Sequence, residues 1–182
     1  MVCCLVGCDT LIVLHTIELV GSDLHVGELH LFLGQRFVLS ICHGTTLNAA
    51  QVQQRCEELP QPLAHGPSVL LYAIMDTIVD LYQPIVHHCA DAIEEVETRL
   101  FRQPLARQDL QQLYTLRHQV QTLRSTTLPL RDVCTTCMRS RYSNLIPPDM
   151  HPYFRDIHDH LTQIVRITDN LRETLFAAMQ TH

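Results

Sequence analysis

No run in this sequence approaches the roughly 18 consecutive apolar residues that a membrane-crossing helix needs, and no basic start, apolar stretch and small-residue cleavage site marks a secretory leader. The eight cysteines therefore read as reduced thiols of a cytosolic, water-soluble piece. Positive charge is scarce as well. Thirteen Lys and Arg stand against 19 Asp and Glu, a formal charge of −6, and they are scattered, so there is no basic stripe for nucleic-acid phosphates or anionic lipid. The acidic excess suits cations, and it equally serves solubility. A glycine-rich phosphate loop, a nucleophile elbow and a His-Glu-x-x-His element are all missing, which leaves nothing that points to an enzyme.

What is present is apolar and periodic. At 46% hydrophobic residues over 182 positions, the chain is long enough for one sizeable core or a small domain with a helical extension. Its first 43 residues read as short strands: Cys3 to Val6, Leu11 to Val20 before the turn signal Gly21-Ser22-Asp23, Glu28 to Leu33, and Phe37 to Ile41 after Gly34-Gln35-Arg36. That spacing predicts a β-hairpin or meander. Asn48 to Leu59 reads as a short helix, followed by a linker at Pro60, Pro62, Gly66 and Pro67.

Beyond the linker the period changes. Leu70, Ile74, Ile78, Leu81, Ile85, Cys89, Ile93, Val96 and Leu100 lie three or four apart throughout, one stripe on a long helix with Ser68 as N-cap and a kink or loosening at Pro84. Pro104 breaks it. A second helix from Leu105 to Arg141 carries Leu110, Leu113, Leu116, Val120, Leu123, Leu130 and Val133 on one side, with Pro129 inside it. The short connection makes the two an antiparallel hairpin. After Pro147-Pro148-Asp149, a third helix spaces Ile157, Leu161, Ile164, Thr168, Leu171 and Leu175 as a heptad-type seam, which calls for a partner helix, for instance from another copy of the chain. The seam runs almost to the last residue and the chain opens almost inside a strand, so truncation at both ends is expected. The fold class is α+β: a partial α/β domain of short, mainly antiparallel strands plus a helix over residues 1–66, a long antiparallel helical hairpin over 67–146, and the start of a stalk helix over 147–182.

Three blocks carry a more specific signal. Leu71-Tyr-Ala-Ile-Met-Asp76-Thr-Ile-Val-Asp80-Leu-Tyr82-Gln-Pro-Ile followed by Ile93-Glu-Glu-Val-Glu97, then Leu128-Pro129-Leu-Arg131-Asp132-Val, then Pro152-Tyr-Phe-Arg155-Asp156-Ile-His158-Asp159-His160, in that order, resemble the CorA family of divalent-metal transporters. A weaker match covers Leu11-Ile-Val-Leu and Glu28-Leu-His-Leu-Phe-Leu. The resemblance implies the cytoplasmic domain of a Mg²⁺ and Co²⁺ transporter at the inner face of the cell membrane, without the pore helices and with the first half of its α/β domain absent. It further implies a homopentamer in the full-length protein, whereas in this piece the seam of the third helix either pairs as a lower oligomer or folds back on the other two helices. A ZntB-type zinc transporter shares the architecture, and a helical adaptor that docks a partner protein is the reading from outside the family.

Mg²⁺ takes oxygen ligands and keeps much of its water, so one or two carboxylates suffice. Asp156 and Asp159 are three apart, on one helix face. By resemblance Asp156 matches a stalk aspartate facing an adjacent subunit across a regulatory metal site, with Glu18 or Asp23 as the partner carboxylate. The alternative is a solvated helix face with acids near its N-terminus. His160, and His158 beside it, would suit Zn²⁺ or Co²⁺, although residues two apart cannot face the same way. His87-His88-Cys89 reads as a core thiol with two surface imidazoles, Cys134-Thr-Thr-Cys137 as small packing residues, and Glu94, Glu95 and Glu97 as a solvated face.

Overall fold

The computed structural model describes residues 4–6, 9–44, 47–59, 66–102, 106–139 and 145–180. Cys3, Cys8, the expected linker at Pro60 and Pro62, the break at Pro104 and the second helix's expected limits at Leu105 and Arg141 lie outside them.

Four strands, β1 (Cys4–Val6), β2 (Asp9–Val20), β3 (Asp23–Leu33) and β4 (Val38–His43), form an antiparallel sheet in chain order. The sequence places its turn correctly. Gly21, at φ +65°, is the first of two loop residues between paired Val20 and Asp23, the position where a type II′ hairpin demands a left-handed residue. Register then fixes the faces. Ile12, Leu14, Leu29, Leu31 and Leu33 point into the core, while the partners His15↔Glu28, Val13↔His30 and Leu11↔Phe32 lie on the other side. Strand β4 is the outer neighbour of β3, exposed from Leu39 to His43.

Helix α1 (Ala49–Glu58) starts where expected: the Asn48 side chain accepts the Ala50 and Gln51 N–H groups at 3.0 and 3.4 Å. Helix α2 (Pro67–Arg102) starts differently. Pro67 occupies the first helical position after Gly66 (φ +54°), and Val69 N–H closes the turn on the Gly66 carbonyl at 3.3 Å. Ser68 is thus inside the helix and wholly buried, not its N-cap. Helix α3 (Arg107–Cys137) and, after a 3₁₀ turn at Pro148–Met150, helix α4 (His151–Gln180) complete the chain. Pro84 and Pro129 interrupt neither helix. The carbonyls they orphan belong to Asp80 and Ser125, both exposed, where water can take the lost bonds.

The stripe on α2 is wider than the spacing suggests. Leu71, Met75 and Tyr82 are fully buried, while Leu70, Leu81 and Leu100 are only partly so, because β2, α3 and α4 all pack against this one helix. By length and composition, Pro67–Leu100 is apolar enough to cross a membrane, which the count of consecutive apolar residues missed; 67% of its apolar window is buried in the fold. At its middle the Tyr82 hydroxyl donates to the His15 carbonyl at 2.6 Å, tying α2 to β2. Burial pushes the Tyr82 phenol far above its ordinary range.

The heptad-type seam of α4 finds its partner within the chain. Phe154, Ile157, Leu161, Ile164, Thr168 and Leu175 are buried, chiefly against α3 and then α2, so no second copy is needed to cover them. The fold is α+β as expected, with the third helix packed back on the hairpin. Ile157→Ala should therefore cost about 2–5 kcal/mol in chemical denaturation, whereas Phe176→Ala, at a side chain 63% exposed, should stay within about 0.5 kcal/mol. Equal and small effects would contradict this packing.

Candidate metal centre

The first turns of α4 present Asp156, Asp159 and His160 to solvent, with His158 half-buried. The His158 Nδ1 lies 3.3 Å from Asp159 Oδ1. Their orientation comes from the residues between them: Phe154 and Ile157 are buried, which turns positions 155, 156 and 159 outward. Among the described residues, no arginine pairs with Asp156 or Asp159, and Asp159 has only the imidazole. The acid at 156 still has a neighbour on α2. The Tyr72 phenol is raised, first by burial and next by the Asp156 carboxylate, and its ring meets Tyr153 and Phe154 edge-on at 5.4 and 6.3 Å.

On the same end of α2 sits an ionic clamp that the spacing did not reveal. Arg55 of α1 donates to Asp76 through one guanidinium nitrogen and to Asp80 through the other. Asp76 is 9% exposed, so the guanidinium is what makes its burial tolerable. Both acids belong to the first resemblance block, and their i, i+4 spacing within an otherwise apolar helix was the available signal. They are committed to Arg55 and hold α1 on α2.

Glu18 and Asp23 are exposed near the β2–β3 turn, at a different level of the molecule. That turn is tied to α3, where the Gln119 side chain donates to the Ser22 carbonyl at 2.5 Å, and Gln119 in turn meets Cys89 of α2 at 3.8 Å. Cys89 stands roughly 25 Å along α2 from Tyr72 at 1.5 Å per residue. One chain therefore does not bring Asp156 together with Glu18 or Asp23. Among the described residues, no three His, Cys, Asp or Glu side chains converge, as they stand, on a point where an ion would sit.

The remaining sequence candidates are placed plainly. His87 and His88 are exposed and Cys89 is buried, its thiol pushed up to about 11 by burial. Cys134 and Cys137 are buried too, and burial drives Cys134 well above the thiol range, so Cys134 presents no ready thiolate. Glu95 pairs with Arg99 at 2.8 Å, and Arg99 reaches across the hairpin to Asp109 at 3.1 Å.

Comparison with known proteins agrees with this architecture. The sequence model of the family described as "CorA-like Mg2+ transporter protein" matches residues 7–182. The chain is 29% identical over 152 residues to YfjQ of Bacillus subtilis (strain 168), covering 84% of this chain and 47% of that protein. It is 32% identical over 104 residues to the cobalt/magnesium transport protein CorA of Thermotoga maritima, covering 57% of this chain and 29% of that one. The solved soluble domain of CorA from Methanocaldococcus jannaschii superposes with a TM-score of 0.81 at 20% identity, over 98% of this chain and 71% of that chain. With a family match across nearly its whole length, the chain belongs to the CorA-like Mg²⁺ transporter family. It spans about half the length of the longer-matching curated relative and less of the other.

The clamp makes a double-mutant cycle informative. Arg55→Met should cost about 1–3 kcal/mol, because it leaves Asp76 uncompensated. Adding Asp76→Asn should recover part of that loss, with a coupling energy of about 1–2 kcal/mol. Additive losses in urea melts would show that the two side chains do not act as a pair.

Proposed function

We propose that this chain is the cytoplasmic regulatory part of a divalent-cation transporter for Mg²⁺ and Co²⁺, held at the inner face of the membrane by segments outside this sequence and assembled as a homopentamer in the full-length protein. On this reading residues 1–66 are the C-terminal part of an α/β domain, 67–146 its helical hairpin and 147–182 the start of a stalk. The observation that carries the reading is the state of Asp156 and Asp159. Asp76 and Asp80 share Arg55 and Asp169 pairs with Arg124, yet Asp156 and Asp159 are exposed on one helix face with no guanidinium partner among the described residues.

Such a pair suits a hydrated Mg²⁺, which needs few protein ligands and accepts only oxygen. Because Glu18 and Asp23 lie far along α2 from Asp156 in one chain, they would meet the stalk acids of a neighbouring copy. Carboxylates facing each other between subunits repel. A divalent cation offsets that repulsion and favours the closed arrangement, and falling cytoplasmic Mg²⁺ shifts the population toward an open one.

The test is titration of the purified chain with Mg²⁺, Co²⁺ and Zn²⁺, with mass followed by light scattering and stability by thermal melting, beside Asp156→Ala. The expected result with Mg²⁺ is assembly, to a pentamer or a lower oligomer, or stabilisation by about 1.4 kcal/mol at ten times the dissociation constant, both absent in the variant. Equal responses of the two proteins to Mg²⁺, or no response to any of the three ions, would overturn the proposal. A preference for Zn²⁺ at Asp156 would redirect it toward a zinc transporter.

A further inference from the structure

The outer face of the sheet holds a second group of metal-friendly side chains, of different chemistry from the stalk acids. The register sets His15 of β2, Glu28 of β3 and His43 of β4 directly opposite one another in one row across three strands. Strands in a sheet lie about 4.8 Å apart, so neighbours in that row are within side-chain reach. His30, two residues along β3 from Glu28, shares the face because side chains alternate. The contacts bear this out. His30 Nε2 lies 3.2 Å from Glu28 Oε2, His15 Nε2 lies 3.8 Å from Glu28 Oε1, and the His30 and His43 rings meet edge-on with centroids 5.2 Å apart.

We propose that Glu28, His30 and His43, with His15 on the far side of the carboxylate, form a binding site for a borderline-soft divalent ion of the Zn²⁺ or Co²⁺ class. Tetrahedral Zn²⁺ with ligands at about 2.0–2.1 Å spaces its donors about 3.3 Å apart, and the His30–Glu28 pair already stands at that separation. His43 joins by rotation about its own side-chain bonds, since its backbone is already opposite Glu28. Imidazole nitrogens select against Mg²⁺, which demands oxygen. Val13 and Ile41, the cross-strand partners of His30, give it apolar flanks. An ion here would fasten the exposed strand β4 to the rest of the sheet.

The experiment uses the whole chain with Zn²⁺ alone, measured by competition with a chromophoric chelator, and with Co²⁺ alone, read from its visible absorption. The variants are Glu28→Gln, His30→Gln with His43→Gln, and a control, His158→Gln with His160→Gln. The expected result is one ion per chain at this site, not displaced by excess Mg²⁺. Affinity should fall at least ~10-fold in each sheet variant and stay unchanged in the control and in Asp156→Ala. That last arm separates this site from the stalk acids, so either proposal can fail alone. The replaced side chains are exposed or half-exposed, and melting under chelator should match the unmodified chain, which removes misfolding as an explanation. Unchanged Zn²⁺ affinity in both sheet variants, or a loss confined to the control, would overturn the proposal.

Discussion

Helix α2 must be covered on more than one side, and that requirement organises the rest of the chain. Every residue from Ala73 to Val79 is buried, as are Tyr82, Ile85, Cys89, Ile93 and Val96, and seven consecutive buried positions span an arc too broad for a single neighbouring helix. The sheet covers one part of it, and α3 and α4 cover the others. The Tyr82–His15 hydrogen bond then sets where along α2 the sheet sits, because a buried hydroxyl without a partner would be costly. The same breadth gives a core helix the length and apolarity of a membrane-crossing one.

Ionic groups follow from that frame. Acids where α2 meets its neighbours are paired: Asp76 and Asp80 share Arg55 of α1, and at the hairpin's other end Glu95 of α2 and Asp109 of α3 share Arg99. Acids that α4 turns outward are left to solvent. Hard oxygen donors thus stand on the stalk helix while imidazoles gather on the outer face of the sheet. The fold keeps two sets of donors with opposite ion preferences on separate surfaces.

Local signals were legible where local physics decides the outcome. The Gly21 turn, the short helix beginning near Asn48 and the α+β order of elements were all readable, since each rests on a few adjacent residues. The blocks around Asp76, Arg131 and Asp156 pointed to the family that the comparisons then showed. Tertiary choices were not readable. Nothing in the spacing of Ile157 to Leu175 says whether the seam meets another copy or folds back, and the breadth of the α2 stripe depends on how many elements arrive to cover it. The row His15, Glu28, His43 joins residues far apart in sequence and exists only once the strand register is known. The distance between Asp156 and Glu18 within one chain likewise follows from where the β2–β3 turn docks on α3.

Residue-resolved hydrogen exchange tests the central claim, that one core centred on α2 holds the sheet, hairpin and stalk helix together. The account predicts that amides around Tyr82 in α2 and around Ile157 to Ile164 in α4 share the slowest exchange and the same dependence on denaturant, because both open only when the whole unit does. Exchange in α4 faster by orders of magnitude, with its own shallow denaturant dependence, would show the stalk helix detaching from the hairpin and would contradict it.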